Sequence, residues 1–186
     1  MAEEEWEVVR QHVALRTSGR RRLLERLLLR SPRLMERLTK AVLRRPPTST
    51  IRRALVRLTS RWGLEAVNRC DYQAAFAVYP PDCETITPPE LVVLGFEPTY
   101  RGREGRAGFQ EEWMRELGEF RQETADIIDT GDRLLLLTRM IGKGLGSGAE
   151  FESEAAYLIS FSEGRLIREE PFRSHAEALE AAGLRD

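Results

Sequence analysis

Residues 120–141 read FRQETADIIDTGDRLLLLTRMI, and this stretch decides the fold. Asp129-Thr130-Gly131-Asp132 separates residues 120–128, which include Phe120, Ile127 and Ile128, from a largely apolar run over 133–141. Asp and Gly are typical residues of tight turns. The pattern predicts a strand over 120–128, a turn, and a second strand over 133–141. Because residues 134–137 are four consecutive leucines, we expect this second strand to be covered by protein on both faces.

The sequence predicts two more strands and a helix after this hairpin. A loop with four glycines between positions 142 and 148 leads to a strand over 150–161. The loop lacks the lysine and the following helix of a phosphate-binding loop, so it is interpreted as a hairpin connection. A turn at 162–164 leads to the last strand, 165–173. Ser174 and Glu177 have the spacing of a capping box, which predicts the start of a closing helix.

Helical patterns precede the hairpin. Apolar residues recur with helical spacing over 50–69 and over 106–117, and Asp71 is placed to cap a short helix that extends to Tyr79. Between these helices, residues 84–87 predict a short strand, followed by an irregular stretch. Helices followed by a series of antiparallel strands indicate the α+β class.

Charge divides the chain into two parts. Residues 1–61 contain sixteen Lys or Arg against six Glu, a net charge of +10, whereas residues 62–186 have a net charge of −11. Such asymmetry indicates two regions with different surroundings. We therefore expect a basic N-terminal extension over residues 1–49 and a pocket domain over residues 50–186.

The extension is predicted to be helical. Helices are expected over 3–15 and 20–30, and a third begins at Ser31-Pro32, where Ser suits the N-cap and Pro the first helical position. Pro46-Pro47 ends that helix. Three interpretations stay open: a hairpin packed on the main domain, a contact of residues 10–45 with nucleic acid or an anionic surface, and a partner-binding arm or mis-assigned gene start.

Other features limit the cellular context. No apolar run reaches the length of a membrane span, and the N-terminus is acidic where a secretory signal would be basic. Cys70 and Cys83 lack metal-ligand spacing and are expected to be reduced thiols, and the chain has only two histidines. We expect a cytoplasmic protein without a metal ion or cofactor.

Four segments carry a resemblance to a known family. They are VNRCDYQAA at 67–75, YRGREG at 100–105, IDTGDR at 128–133 and AEALEAAGL at 176–184. Together they resemble the SnoaL-like branch of the nuclear transport factor 2-like superfamily, over residues 50–184. The resemblance implies a cone, in which a curved antiparallel sheet wraps around helices and encloses a pocket.

The resemblance does not by itself fix a function. The superfamily includes ketosteroid isomerases, polyketide cyclases, epoxide hydrolases and proteins without a known reaction. It also implies dimerisation through the outer face of the sheet. Apolar residues alternate with charged residues on that predicted face, which leads us to expect a homodimer. The residues are Leu135, Leu137, Ala156 and Leu158.

The turn at 162–164 gives a predicted register for the last hairpin. If Gly164 is left-handed in a three-residue loop, Tyr157 lies opposite Glu169 on the inward face, with Arg173 near the pocket mouth. Tyr157 and Glu169 are then candidate catalytic residues, because burial raises the pKa of a carboxylic acid. The alternative is a structural pair in which Arg173 neutralises Glu169.

Aromatic residues complete the predicted pocket. Four of them are expected to converge on the interior, with Tyr100 at the opening. The predicted ligand-binding residues are Trp62, Tyr79, Thr87, Tyr100, Trp113, Tyr157, Glu169 and Arg173.

Two enzyme classes of the superfamily are not expected. The positions that resemble the catalytic ones of ketosteroid isomerases hold Gly63, Thr87 and Tyr157, none with the required group. The nearest analogue of an epoxide-hydrolase set, Arg139 with Glu154 and Asp126, is better interpreted as a cross-strand ion pair.

Three functional hypotheses follow. The first is a protein that binds a small, mostly apolar organic molecule in the pocket, with no assignable reaction. The second is a cyclase, isomerase or hydrolase that uses Tyr157 and Glu169. The third is a structural or regulatory module with a basic partner-binding arm.

Overall fold

A computed structural model describes residues 8–16, 32–117, 119–144 and 148–184 of this 186-residue chain. The helices are α1 Pro32–Leu43, α2 Thr50–Asn68, α3 Tyr72–Ala75, α4 Pro89–Val93, α5 Gly102–Leu117 and α6 His175–Ala181. The strands are β1 Val9–Ala14, β2 Glu84–Ile86, β3 Thr99–Arg101, β4 Glu119–Asp129, β5 Arg133–Lys143, β6 Glu150–Ser162 and β7 Arg165–Phe172.

The seven strands form one curved, unclosed sheet in the order β1-β4-β5-β6-β7-β2-β3. Neighbouring strands are antiparallel, except that β2 pairs with β7 in parallel. The predicted α+β class, with a curved sheet and helices, is confirmed. No helix in the described ranges combines the length and hydrophobicity that crossing a membrane requires.

The helix predicted over residues 3–15 is wrong, because residues 9–14 form the edge strand β1. Val9, Gln11 and Val13 are more buried than Arg10 and His12, which is the alternation of a strand paired along one side. Val9 and Val13 lie four residues apart, a spacing that also suits a helix face. Pairing with β4 gives backbone N–H and C=O groups of residues 9–14 hydrogen-bond partners, and this favours the strand over the helix.

The rest of the predicted extension has a mixed outcome. The helix predicted over residues 20–30 lies outside the described residues. The helix predicted after Ser31-Pro32 is confirmed as α1, which begins at Pro32 and ends at Leu43, before Pro46-Pro47. Whether residues 1–49 and 50–186 are separable units stays a prediction.

Glycine allows α1 to lie directly against the β6–β7 turn. Gly164 has φ +75°, and a Cβ added there would lie 2.7 Å from the carbonyl oxygen of Lys40. Nε of Arg44 also donates to the carbonyl of Glu163 at 3.4 Å. The turn thus holds the helix close to the sheet.

Strand β5 is covered on both faces, as predicted. Leu134 and Leu136 belong to the inner core, whereas Leu135 and Leu137 pack with Ala178 of α6 on the outer face. Ser174 caps α6, since its Oγ accepts a hydrogen bond from the backbone N–H of Glu177 at 3.2 Å. The outer apolar face that suggested a dimer contact is therefore covered by the chain's own last helix.

The predicted register of the β6–β7 hairpin is wrong by one residue next to the turn and by two residues from the Ser160–Arg168 pair outward. Ser162 pairs with Arg165 around a two-residue turn, in which Glu163 and Gly164 both have positive φ. An irregularity between Ser160 and Phe161 then adds one residue on β7, so Glu169 lies opposite Ile159. Because a shift of two residues preserves the face on which a side chain lies, Glu169 still points inward.

Two predicted elements are shorter than expected, and two were missed. The helix capped by Asp71 was predicted to extend to Tyr79 but ends at Ala75, and the strand predicted over 84–87, which is β2, ends at Ile86. The stretch predicted to be irregular contains α4 and β3. Helix α5 begins at Gly102, four residues before the predicted start.

Candidate functional site

A cavity of about 340 Å3 lies between the inner face of the sheet and helices α1, α2 and α3. Most of its lining is apolar, contributed by residues such as Leu64, Leu136 and Ile159. Its exposed lining residues include Leu38 of α1 and Leu55 of α2, so the cavity opens between these helices. The described lining contains one Arg and one Glu and no other charged side chain.

Helix α1 supplies part of the cavity wall. Leu38, Thr39, Val42 and Leu43 line the cavity beside residues of α2. These four residues precede position 50, where the pocket domain was predicted to begin. The wall on this side therefore depends on the segment that the sequence indicated as an extension.

A buried ion pair between helix α5 and strand β7 forms part of the cavity wall. Nε and Nη2 of Arg106 donate to the two carboxylate oxygens of Glu169 at 2.8 and 3.0 Å. Each side chain is only 2% exposed. The Oη of Tyr79 donates to Oε2 of Glu169 at 2.6 Å, and Nη1 of Arg106 donates to Gln110 at 3.1 Å.

Helix α5 positions Arg106 on its aromatic side. The guanidinium lies 4.3 Å from the ring centroid of Phe76 and 5.7 Å from that of Tyr157. Burial alone would lower the pKa of Arg106, but the attraction and hydrogen bonds of Glu169 outweigh it and leave that pKa raised. The Arg106 guanidinium is therefore held between Glu169 and the surrounding aromatic rings.

A second polar pair consists of Gln122 and Tyr157. Nε2 of Gln122 donates to Oη of Tyr157 at 3.0 Å, and both side chains are buried. Asn68 of α2 fixes the strand here, because its side chain accepts from the backbone N–H of Gln122 and donates to the Gln122 carbonyl, each at 2.8 Å. A register shift between Gln122 and Thr124 follows and marks a bulge in β4.

The predicted contact between Tyr157 and Glu169 is wrong. Tyr157 lies opposite Pro171 and bonds to Gln122, while Tyr79 is the phenol that bonds to Glu169. Arg106, rather than the exposed Arg173, neutralises the carboxylate. Both Tyr157 and Glu169 nevertheless line the cavity.

Of the other predicted residues, Trp62 and Tyr79 line the cavity, and the indole Nε1 of Trp62 has no hydrogen-bond partner among the described residues. Tyr100 and Trp113 lie instead in a separate aromatic cluster with Phe96 and Phe109. Thr87 is buried away from the cavity lining, where its Oγ1 donates to the carbonyl of Glu97 at 2.6 Å.

The residues considered for epoxide-hydrolase chemistry lie in surface ion pairs. Arg139 is opposite Glu154 on the sheet, as predicted, but its guanidinium contacts Glu152 at 2.6 Å. Asp126 pairs with Arg10 and His12. In the described part of the chain, Arg139 and Asp126 thus have different ion-pair partners.

The sequence reasoning missed Arg106 and Gln122. Arg106 precedes Phe109 and Trp113 by three and seven residues, so the three share one helix face. An arginine on the apolar face of a helix needs a buried carboxylate, and this spacing could have indicated one. The bulge in β4 conceals Gln122, because it breaks the alternation that would show which way the side chain points.

The cavity phenols are protonated at neutral pH and can act as hydrogen-bond donors. Burial raises the pKa of Tyr157 to about 12, with Arg106 opposing and Glu169 reinforcing the shift. Burial and the Glu169 carboxylate also hold the pKa of Tyr79 well above its usual value. Neither phenol can serve as a general base at pH 7.

All four tyrosines should resist ionisation in the folded protein. Burial is the main cause in each case: it raises the pKa of Tyr100 and Tyr157 to about 12 and shifts those of Tyr72 and Tyr79 upward. Because the folded pKa values exceed the unfolded value of about 10, stability is fully present below pH 10 and is lost as pH rises toward 12.

Ultraviolet absorbance of phenolate tests this expectation. During an alkaline titration, phenolate should appear together with the loss of far-ultraviolet circular dichroism. Tyrosines that ionise near pH 10 while the protein stays folded would contradict the upward pKa shifts that burial causes.

The fold and its cavity define a class. A curved sheet backed by helices, with an apolar cavity inside, is the architecture of the nuclear transport factor 2-like proteins. Within that class, the chain belongs to the family of SnoaL-like domains, whose model matches residues 61–169, more than half of the chain. No curated protein sequence matches the chain.

Solved structures agree in fold. A nuclear transport factor 2-like protein of unknown function from Burkholderia pseudomallei is 22% identical, with a TM-score of 0.55 over 67% of this chain and 94% of that one. TerC, co-crystallised with polyporic acid, is 18% identical, with a TM-score of 0.55 over 66% and 94%. Bal32a from a soil-derived mobile gene cassette is 18% identical, with a TM-score of 0.50 over 67% and 93%.

Proposed function

We propose that this protein binds a small, mostly apolar organic molecule in the cavity, with no reaction assigned. The observation that carries the proposal is the cavity itself: about 340 Å3 of mainly apolar lining into which few polar side chains converge. Ligand pockets in proteins have this size and this composition. TerC, which shares the fold, was co-crystallised with polyporic acid.

The geometry favours binding over catalysis by Tyr157 and Glu169. Both oxygens of Glu169 already accept hydrogen bonds from Arg106, and one also accepts from Tyr79. A general base must reach its proton through a free lone pair in the correct direction. Glu169 therefore serves better as a fixed part of the wall, and the enzyme hypothesis ranks second.

A fluorescent probe tests the binding proposal. N-phenylnaphthylamine is neutral and apolar, and its emission rises when it leaves water. Leu136 lies in the cavity wall, so Leu136→Trp should fill the cavity and weaken probe binding by about tenfold or more. Val93, 87% exposed on α4, gives the matched control Val93→Trp, which should bind like the wild type.

Two outcomes are decisive. Equal binding by wild type and Leu136→Trp would show that the probe lies elsewhere on the surface, and absence of any binding would remove the proposal. Because overpacking costs about 1–3 kcal/mol, the folded state of Leu136→Trp is checked by thermal unfolding. Thr39→Trp at the cavity rim is a second variant that places its ring at a half-exposed position.

Assembly, location and the basic segment also belong to this proposal. We propose a homodimer on the resemblance alone, with contact through a surface other than the outer face that α6 covers; sedimentation measures this.

A cytoplasmic location rests on the composition. An anionic partner of residues 10–45 would meet the exposed Arg53 and Arg57 beside them, and its binding should weaken with salt.

A further inference from the structure

Gln122 and Tyr157 leave hydrogen-bonding capacity unused inside the cavity. Gln122 is fully buried and lines the cavity, yet its Oε1 has no hydrogen-bond partner in the described part of the chain. Tyr157 accepts the bond from Nε2 of Gln122, and no described group accepts the proton of its hydroxyl. A buried polar group without a partner costs about 1–3 kcal/mol, so such a pair indicates an absent partner.

In the amide orientation of the structure, the absent partner must both donate and accept a hydrogen bond. Oε1 of Gln122 requires a donor, and the Tyr157 hydroxyl requires an acceptor, and the two groups are joined by a bond of 3.0 Å. Reversal of the amide exchanges the roles, because Tyr157 then donates to Oε1 and Nε2 of Gln122 requires an acceptor. A hydroxyl group satisfies either arrangement, whereas a ketone or ether satisfies only the reversed amide, and an ammonium group, which cannot accept a hydrogen bond, satisfies neither.

The charge in the cavity wall excludes an ionised partner. Arg106 and Glu169 are the only charged side chains of the described lining, and they neutralise each other at 2.8 and 3.0 Å. An ionic ligand would lose its hydration without gaining a free counter-charge, which is unfavourable.

We infer that the bound molecule is an uncharged, mostly apolar alcohol or phenol whose hydroxyl bridges Gln122 and Tyr157. This inference rests on the proposed function and adds the chemical class of the ligand. Gln122 and Tyr157 are the residues that select it, while the apolar wall supplies most of the binding free energy.

Four probes with one ring system test the inference. Naphthalene measures the apolar contribution, β-naphthol adds a hydroxyl, β-naphthoate adds a negative charge, and β-naphthylmethylammonium adds a positive charge. Affinities are obtained by displacement of N-phenylnaphthylamine. We expect β-naphthol to bind about tenfold more tightly than naphthalene, and both ions more weakly than naphthalene.

Variants assign the preference to the two residues. Tyr157→Phe and Gln122→Met keep the approximate shape of each side chain and should reduce the ratio of β-naphthol affinity to naphthalene affinity to about one, because the hydroxyl loses its hydrogen-bond partners. Gln73→Met on the exposed side of α3 is the matched control and should keep the ratio. If Gln122→Met fails to fold, Tyr157→Phe alone decides.

Failure of this inference and failure of the proposed function have different outcomes. If N-phenylnaphthylamine does not bind at all, ligand binding in the cavity is itself refuted, whereas a bound probe that none of the four compounds displaces overturns only the inference about the ligand class. If naphthalene and β-naphthol bind equally, binding stands, but a water molecule rather than a ligand hydroxyl satisfies the pair. Tightest binding of either ion would show that the charges of the wall are not balanced, and would overturn the inference.

Discussion

Replacing Arg106 by methionine should lower the free energy of unfolding by about 3–5 kcal/mol. The substitution retains an unbranched side chain but leaves the 2%-exposed carboxylate of Glu169 with Tyr79 as its remaining partner. An uncompensated buried charge is the main cost, and the loss of the contact with the Phe76 ring adds to it. Urea denaturation followed by circular dichroism measures the change.

The matched control is Arg101→Met. Arg101 contacts Glu84 at 2.6 Å but is 68% exposed, so its loss should cost less than about 1 kcal/mol. The double variant Arg106→Met, Glu169→Met removes both charges and should recover most of the loss, because an apolar pair replaces a buried ion pair at small cost. If the double variant is no more stable than Arg106→Met, packing rather than charge holds this wall together.

Local patterns in the sequence were sufficient to predict the central fold. The turn at Asp129-Thr130-Gly131-Asp132, the periodicity of α2 and the cap at Ser174 depend on residues close together in the chain, and the structure has all three. The covering of β5 on both faces could be predicted from its four leucines without knowing which elements pack against it, because a strand that is apolar on both faces must be covered on both. Proximity in sequence made these features predictable.

Features that depend on distant partners could not be predicted in the same way. Strand β1 exists because residues 9–14 pair with β4, more than one hundred positions away. Its valines fit a helix and a strand equally well, so the choice requires the tertiary context. The β6–β7 register depends on a two-residue turn and one additional residue on β7, and only the face on which Glu169 lies was independent of that detail.

The candidate site shows the same division. Tyr157 and Glu169 were placed in the cavity from strand alternation alone, but their partners were not. Arg106 is one of 29 basic residues, and its carboxylate partner lies 63 positions along the chain. The bulge after Gln122 interrupts the alternation of inward and outward side chains along β4, so this alternation does not show that Gln122 points inward. Polar pairs between distant elements are specified by the fold, so they become visible once the sheet and helices are assembled.

A second buried arginine should be as important as Arg106, because it connects α1 and α2 to the sheet. All five N–H groups of Arg52 donate hydrogen bonds. They reach both carboxylate oxygens of Asp129 at 2.7 and 2.8 Å, and the carbonyls of Leu43, Arg45 and Gly131 at 2.5–2.6 Å. The two side chains are 2% and 1% exposed.

We expect Arg52→Met to lower the free energy of unfolding by about 3–5 kcal/mol, because the buried Asp129 carboxylate and three carbonyls lose the donors that Arg52 provides. Arg52→Lys keeps the charge but cannot reproduce the planar, five-donor geometry, and should lose a substantial part of the same amount. Arg53→Met changes the exposed neighbour on the same helix and should stay within about 0.5 kcal/mol of wild type.

The structure also predicts a local consequence for the cavity. Two acceptors of Arg52 lie at or just after the end of α1, which lines the cavity through Leu38 and Val42. Loosening of this end should increase amide hydrogen exchange in α1 of Arg52→Met before global unfolding, and weaken N-phenylnaphthylamine binding under conditions where the protein is folded. A large loss of global stability without faster amide exchange in α1 would mean that Arg52 stabilises only the β4–β5 turn. The contact of α1 with Gly164 would then be what keeps the helix beside the cavity.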